Sequence, residues 1–157
     1  MEEANWAGTH RYRAHRLHRP RTVEELQEIV ARAPRVRVLG SRHSFTDIGD
    51  SDELVALEAL PADLAVDRAA GTVAFTGSLR YGDLADALAG EALALHNLAS
   101  LPHISVAGAV ATATHGSGDR NGNLATAVAA LEMVTSDGET VIAARGDEAF
   151  DLSLIHI

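Results

Sequence analysis

Apolar residues recur along this chain in short bursts, and their spacing switches between helical and strand-like. Across residues 22–34, Thr22 is followed three positions later by Glu25, the pattern of a capping box in which Glu25 reaches back to the Thr22 N–H. Leu26, Ile29 and Val30 then share one helical face, and Pro34 closes the element. Residues 35–39 alternate and become apolar, which predicts a strand entering a core. Gly40 and Ser41 break it, so His43 is expected in a loop at a strand's C-terminal end. In α/β sheets that is a common place for ligands.

Residues 53–60 read as a second short strand. Residues 64–67 and 72–76, joined across Ala69, Ala70 and Gly71, read as a hairpin. Leu84 and Leu88 mark an amphipathic helix over 81–88, and residues 106–114 read as an Ala-rich helix running against a ligand. The clearest hairpin signal is 124–135 and 140–144 flanking Asp137 and Gly138. This order predicts an α+β fold with a mixed sheet rather than regular parallel alternation. The G-x-G-x-x-G and G-x-x-x-x-G-K-[ST] fingerprints do not occur, so the Rossmann and P-loop readings fail on their own motifs.

Residues 100–118, SLPHISVAGAVATATHGSG, carry almost no charge and many small side chains. A structural helix gives up packing energy when Ala, Thr and Ser replace Leu or Ile. Close approach of another body, ligand or backbone, accounts for such a stretch. Consecutive backbone N–H groups left uncovered by side chains suit the phosphates of a nucleotide cofactor. Gly108, Gly116 and Gly118 also read as plain turn residues. Ser100 and Ser105 read either as helix caps or as hydroxyls facing the ligand.

Composition narrows the class. The 157 residues suffice for one domain, and 46% hydrophobic with 22% charged residues is ordinary for a globular protein. A formal net charge of −9 leaves no basic face for a nucleic acid, and the arginines between Arg11 and Arg37 read as solvated surface. With no cysteine, disulfides, thiolate catalysis and Cys-based zinc sites are excluded, which fits a reducing cytoplasm. The first ten residues lack the apolar run of a secretory signal, and no apolar run approaches the ~20 residues of a membrane span. The expectation is a cytoplasmic protein without a membrane partner. His43, His103 and His115 lack the short spacing of a zinc site, so no metal is expected. Taken alone, His43 reads as a loop histidine capping a turn.

Residues 5–8 (NWAG), 38–45 (VLGSRHSF) and 97–118 (NLASLPHISVAGAVATATHGSG) together resemble the alditol and xylitol oxidases. These belong to the vanillyl-alcohol-oxidase type of flavoprotein, with a PCMH-type FAD-binding domain. The resemblance implies an α+β FAD-binding domain over residues 1–150 and a covalent bond from His43 to the 8α-methyl of the flavin. It also implies that Val38, Leu39, Gly40, Ser41, Arg42, His43 and Ser44, with Ser105, Gly108, Thr112, Ala113, Thr114 and His115, cradle the FAD. Ser100 matches a serine that lies close to the flavin and positions a polyol. The implied reaction is oxidation of a terminal alcohol to an aldehyde, with hydride passing to flavin N5 and dioxygen leaving as peroxide.

Two departures accompany this. Arg42 stands where some relatives have glycine. Residues 151–157 match nothing in the family, so the FAD domain is expected to be incomplete at that end and the substrate domain absent. An apolar surface normally covered by that domain is then expected to lie bare. A sugar-1,4-lactone oxidase and a flavin-binding module without catalysis are the competing readings.

Overall fold

The computed structural model describes residues 3–150. Three strands form a parallel sheet in the order β1 (Arg16–His18), β3 (Glu53–Val55), β2 (Val36–Val38). The central strand pairs Glu53, Leu54 and Val55 with Arg16, Leu17 and His18 on one side and with Val36, Arg37 and Val38 on the other. Because β3 has neighbours on both edges, Leu54, Val55 and the following Ala56 are almost wholly buried. Leu39, Leu54 and Tyr12 form the small core of this sheet.

Helix α1 (Val23–Arg32) crosses between β1 and β2. Its Thr22 Oγ1 accepts from the Glu25 N–H at 3.2 Å, as the capping box predicts. Glu25 reaches back one residue further than expected, to the Arg21 N–H at 2.7 Å. Leu26, Ile29 and Val30 are half-buried. The helix stops where the Ala33 N–H bonds to the Ile29 carbonyl, just before Pro34.

The remaining strands form two antiparallel hairpins. Strands β4 (Leu64–Asp67) and β5 (Thr72–Phe75) turn where Asp67 Oδ1 accepts from the Ala69 and Ala70 N–H groups. Strands β6 (Ala130–Val134) and β7 (Thr140–Ala144) turn at Gly138, which has φ +84°. Parallel and antiparallel pairing therefore both occur, divided among three sheets.

The larger core lies between helix α2 (Tyr81–Gly90), helix α3 (Val106–Ala111) and the β4–β5 hairpin. Tyr81, Leu84, Leu88, Ile104, Val106, Ala109, Val110 and Leu124 are buried there, and Leu64, Val66, Val73 and Phe75 pack against them.

Beyond shifts of one or two residues at element ends, four departures from the sequence pattern each have a local reason. Strand β1 was not expected, because Arg16-Leu17-His18 has one apolar residue and is a strand only by pairing with β3. The strand expected over 53–60 ends at Val55, since Leu57 and Leu60 enter a turn. Helix α3 ends at Ala111 rather than 114: Ala113 takes φ +51°, and the Thr114 N–H bonds back to the Ala109 carbonyl. The strand expected over 124–135 opens instead with a 3₁₀ turn over Leu124–Ala127, before β6 begins.

Val38, Phe45, Ile48 and Ile142 are all more than half exposed. Apolar surface is thus left uncovered along β2, its following loop and β7. No helix among the described residues is long and apolar enough to cross a membrane.

Candidate cofactor site

The loop after β2 is held by a pair of serines. The Ser105 N–H donates to Ser41 Oγ at 2.9 Å, and the Ser41 N–H donates to Ser105 Oγ at 3.4 Å. Ser105 is held in turn by the segment that precedes α2. There the Tyr81 N–H bonds to the Ile104 carbonyl, and the Val106 N–H bonds to the Leu79 carbonyl. Gly40 and Gly108 approach the same hydroxyl so closely that a Cβ on either would lie 2.7 Å from Ser105 Oγ. A Cβ on Gly116 would collide with the Leu98 carbonyl oxygen. At these three glycines the close approach anticipated from the sequence is the protein's own packing.

Beyond this post the loop opens into a cleft of about 380 Å³, lined by Ala4, Trp6, Ser41, Arg42, His43, Arg80 and His103. Three rings meet in it. Trp6 stacks on His43 with centroids 5.2 Å apart and planes 23° apart, and His103 lies 4.6 Å from His43. His43 Nδ1 is 3.1 Å from Ser41 Oγ, while the buried Nε2 atoms of His43 and His103 have no hydrogen-bond partner among the described residues. Burial lowers the pKa of His43, as do the nearby charges of His103 and Arg80, against a hydrogen bond to the Ser41 backbone that raises it. Its imidazole is therefore held neutral at pH 7.

The N-terminal segment closes one wall of the cleft. The Trp6 N–H donates to the Arg42 carbonyl at 2.8 Å, and Asn5 Nδ2 donates to the Ser44 carbonyl at 3.0 Å. Glu3 pairs with the Arg42 guanidinium at 3.2 Å. Arg42 itself takes φ +64°, a left-handed conformation that a residue with a side chain adopts rarely.

Of the residues that the sequence pointed to, Ser41, Arg42 and His43 line the cleft. Leu39 is core, with its N–H donated to the Val55 carbonyl, and Val38 is exposed. Ser105 is buried and bonded to Ser41, so its hydroxyl shapes the loop. Thr112 Oγ1 bonds to the Gly108 carbonyl and contacts Thr114 Oγ1. Ala113 and His115 are exposed, with His115 Nδ1 against the Gly116 carbonyl. Ser44 sits beside the cleft as the acceptor for Asn5. Ser100 is exposed and outside the cleft lining.

Trp6, Arg80 and His103 line the cleft without having been named as site residues. His103 was visible as one of three histidines near the small-residue stretch. Trp6 was visible only within the NWAG stretch of the resemblance and Arg80 carried no local signal, since tertiary contact alone brings them to His43.

Fold and cleft together define a cofactor-binding domain. Residues 14–144 match the family model of the FAD binding domain, and the chain belongs to that family. It is 49% identical over 150 residues to an alditol oxidase from a Streptomyces species, covering 93% of this chain and 36% of that protein. It is 36% identical to an L-gulono-1,4-lactone dehydrogenase from Mycobacterium tuberculosis, covering 92% and 35%. It is 31% identical to an L-gulonolactone oxidase from Scyliorhinus torazame, covering 98% and 36%. The chain thus spans about a third of the length of these relatives. Among solved structures, cholesterol oxidase from B. sterolicum shares the fold, with a TM-score of 0.83 at 18% identity over 98% of this chain and 34% of that one.

The residues present fit a flavin cofactor. A neutral histidine whose buried Nε2 has no hydrogen-bond partner among the described residues faces an open cleft, with the Arg42 and Arg80 side chains beside it.

Proposed function

We propose that this chain is the FAD-binding part of a polyol oxidase of the alditol-oxidase kind, with FAD bonded covalently through His43. The observation that carries the attachment is the state of His43. It is held neutral, so its lone pair is available, and Nε2 is buried without a partner beside the open cleft. The 49% identity to the Streptomyces alditol oxidase, against 36% for the lactone dehydrogenase, favours polyols over sugar lactones.

FAD, when bound, supplies a two-electron acceptor that dioxygen reoxidises. What the chain's own residues do is bind and orient. The Ser41–Ser105 post sets the loop, His43 anchors the cofactor, and Arg42 and Arg80 place positive charge beside the cleft. In this reading the segment Thr112, Ala113, Thr114 and His115 lies against the cofactor, and Ser100 faces the polyol. Residues 1–150 constitute the FAD-binding domain, and polyol recognition lies in polypeptide matching the rest of the relatives' length. We place the protein in the cytoplasm, a reading supported by the lack of cysteine.

The test is peroxide formation by the protein carrying this domain together with a substrate domain, with xylitol, sorbitol and L-gulono-1,4-lactone as substrates. Turnover of the two polyols and little with the lactone is expected. Faster turnover of the lactone assigns the protein to the sugar-lactone oxidases instead. The 157-residue chain alone is expected to bind FAD and to show no sustained peroxide formation with a polyol, because Ser100 by itself does not orient an alcohol.

A further inference from the structure

The segment from Glu3 to Tyr12 has no counterpart in the cofactor residues named from the sequence, yet it is tied to the His43 loop at four points. Glu3 pairs with Arg42, the Trp6 N–H holds the Arg42 carbonyl, and Asn5 holds the Ser44 carbonyl. The fourth point is the Trp6 ring on His43. Asn5 is buried and locks the segment on itself, through Thr9 Oγ1 and the His10 N–H at 3.0 Å each. The Ala4–Arg11 bridge closes this small loop. Trp6, in contrast, is 64% exposed. An indole left that exposed adds little to the core, but it covers one face of the imidazole.

We propose that the N-terminal segment is a clamp on the flavin-attachment loop, and that Trp6 is a positioning residue that fixes the plane of the His43 imidazole for bond formation. The proposal rests on the reading that His43 is the attachment point. In that step His43 forms a C–N bond to the 8α carbon, while one proton leaves the imidazole and one proton leaves the methyl group. The two electrons released pass to the isoalloxazine ring and then, with two protons, to dioxygen as peroxide. A stacked ring limits the rotation of the imidazole, so its lone pair points in one direction rather than sweeping through many.

Wild type, Trp6→Ala, Trp6→Phe and His43→Ala, each as the full chain supplied with FAD, separate the possibilities. Total flavin is read by absorbance after desalting, and covalent flavin by fluorescence that stays with the denatured band. Trp6→Ala is expected to bind FAD but to attach it at least about tenfold more slowly. Trp6→Phe, which keeps an aromatic face, should restore attachment, and His43→Ala should show none. Wild-type attachment kinetics in Trp6→Ala overturn the positioning role, as does a Trp6→Phe chain no faster than Trp6→Ala.

A wild-type chain that binds FAD without any covalent fraction overturns the attachment reading, and the clamp is then decided without flavin. Trp6 is the only tryptophan in the sequence, and a protonated imidazole in contact quenches indole emission. The groups facing His43 are His103 before α3, Arg80 at the start of α2, Arg42 on its own loop and, through Arg42, Glu3 on the clamp. Emission should fall as His43 protonates, lose that transition in His43→Ala and keep it in His103→Ala. Emission unchanged by His43→Ala overturns the clamp.

Discussion

Ser41 and Ser105 exchange hydrogen bonds in both directions across 64 residues of sequence, each hydroxyl accepting from the other's backbone N–H. This pair joins the loop that carries His43 to the start of α3, and Gly40 and Gly108 leave the room it needs.

A Cβ at position 40 or 108 would press on a hydroxyl that is buried and already bonded. Gly40→Ala and Gly108→Ala should each destabilise the fold by about 1–3 kcal/mol. Ser105→Ala alone should cost about 1–2 kcal/mol through the lost hydrogen bonds. Since Ser105→Ala also removes the colliding atom, Gly40→Ala combined with it should be less destabilised than the sum of the two. Urea unfolding of the three variants measures the coupling, and strict additivity would refute the proposed collision.

Asp50 is buried beside Tyr12 and the start of β3. Burial pushes its pKa up, but hydrogen bonds from the Arg13 backbone and guanidinium and from the Ser51 N–H outweigh that and leave it lowered. A depressed carboxylate contributes its stability above the ordinary value of about 3.9 and loses it as pH falls through the lower folded value. Asp50→Asn should therefore be less stable than wild type at pH 7 by about 2 kcal/mol. The two chains should converge towards the acid limit. Thermal melts across that range check it.

His43 titrates in the opposite chemical sense but with the same direction in pH. Its folded pKa is lowered, so protonation is disfavoured in the fold. Its contribution is complete above the ordinary histidine value of about 6.5 and is lost as pH falls below it. In His43→Gln the unfolding midpoint should depend less on pH between about 7 and 5 than in wild type. An unchanged pH profile argues that His43 is no more protected than an exposed histidine.

The β6–β7 hairpin docks on α1 through its turn. Gln27 Nε2 donates to the Gly138 carbonyl at 2.8 Å, and a Cβ at 138 would lie 3.0 Å from Ala31 Cβ and 3.1 Å from the Gln27 carbonyl oxygen. With φ at +84°, Gly138→Ala adds a left-handed penalty of about 1–2 kcal/mol to that contact. Its midpoint should fall clearly below that of Gly71→Ala. Gly71 also has a positive φ, but a Cβ there meets nothing within 4 Å.

The elements most legible in the sequence were those specified by neighbours in the chain. Thr22 and Glu25 cap α1, Asp67 organises one turn, and Asp137-Gly138 makes the other, all through contacts within a few residues. Strand β1 was not legible, because three residues with one apolar side chain become a strand only when β3 supplies the partner. The site divided the same way. The loop position of His43 after a strand was legible, and the glycines around Ser105 were visible from their density, whereas only the resemblance marked His43 as a site residue. The sequence could not say that Ser105 rather than a ligand fills the space at Gly40 and Gly108.

By itself, the sequence determined the order of helices and hairpins, the core face of α2, and the family to which the chain belongs. Capping, turn chemistry and hydrophobic period act over short distances, so they are written in adjacent residues. The tertiary structure decided what surrounds His43. Trp6 stacked on its ring, His103 tilted against it and Arg80 beside it arrive from separate segments, and only packing brings those segments together.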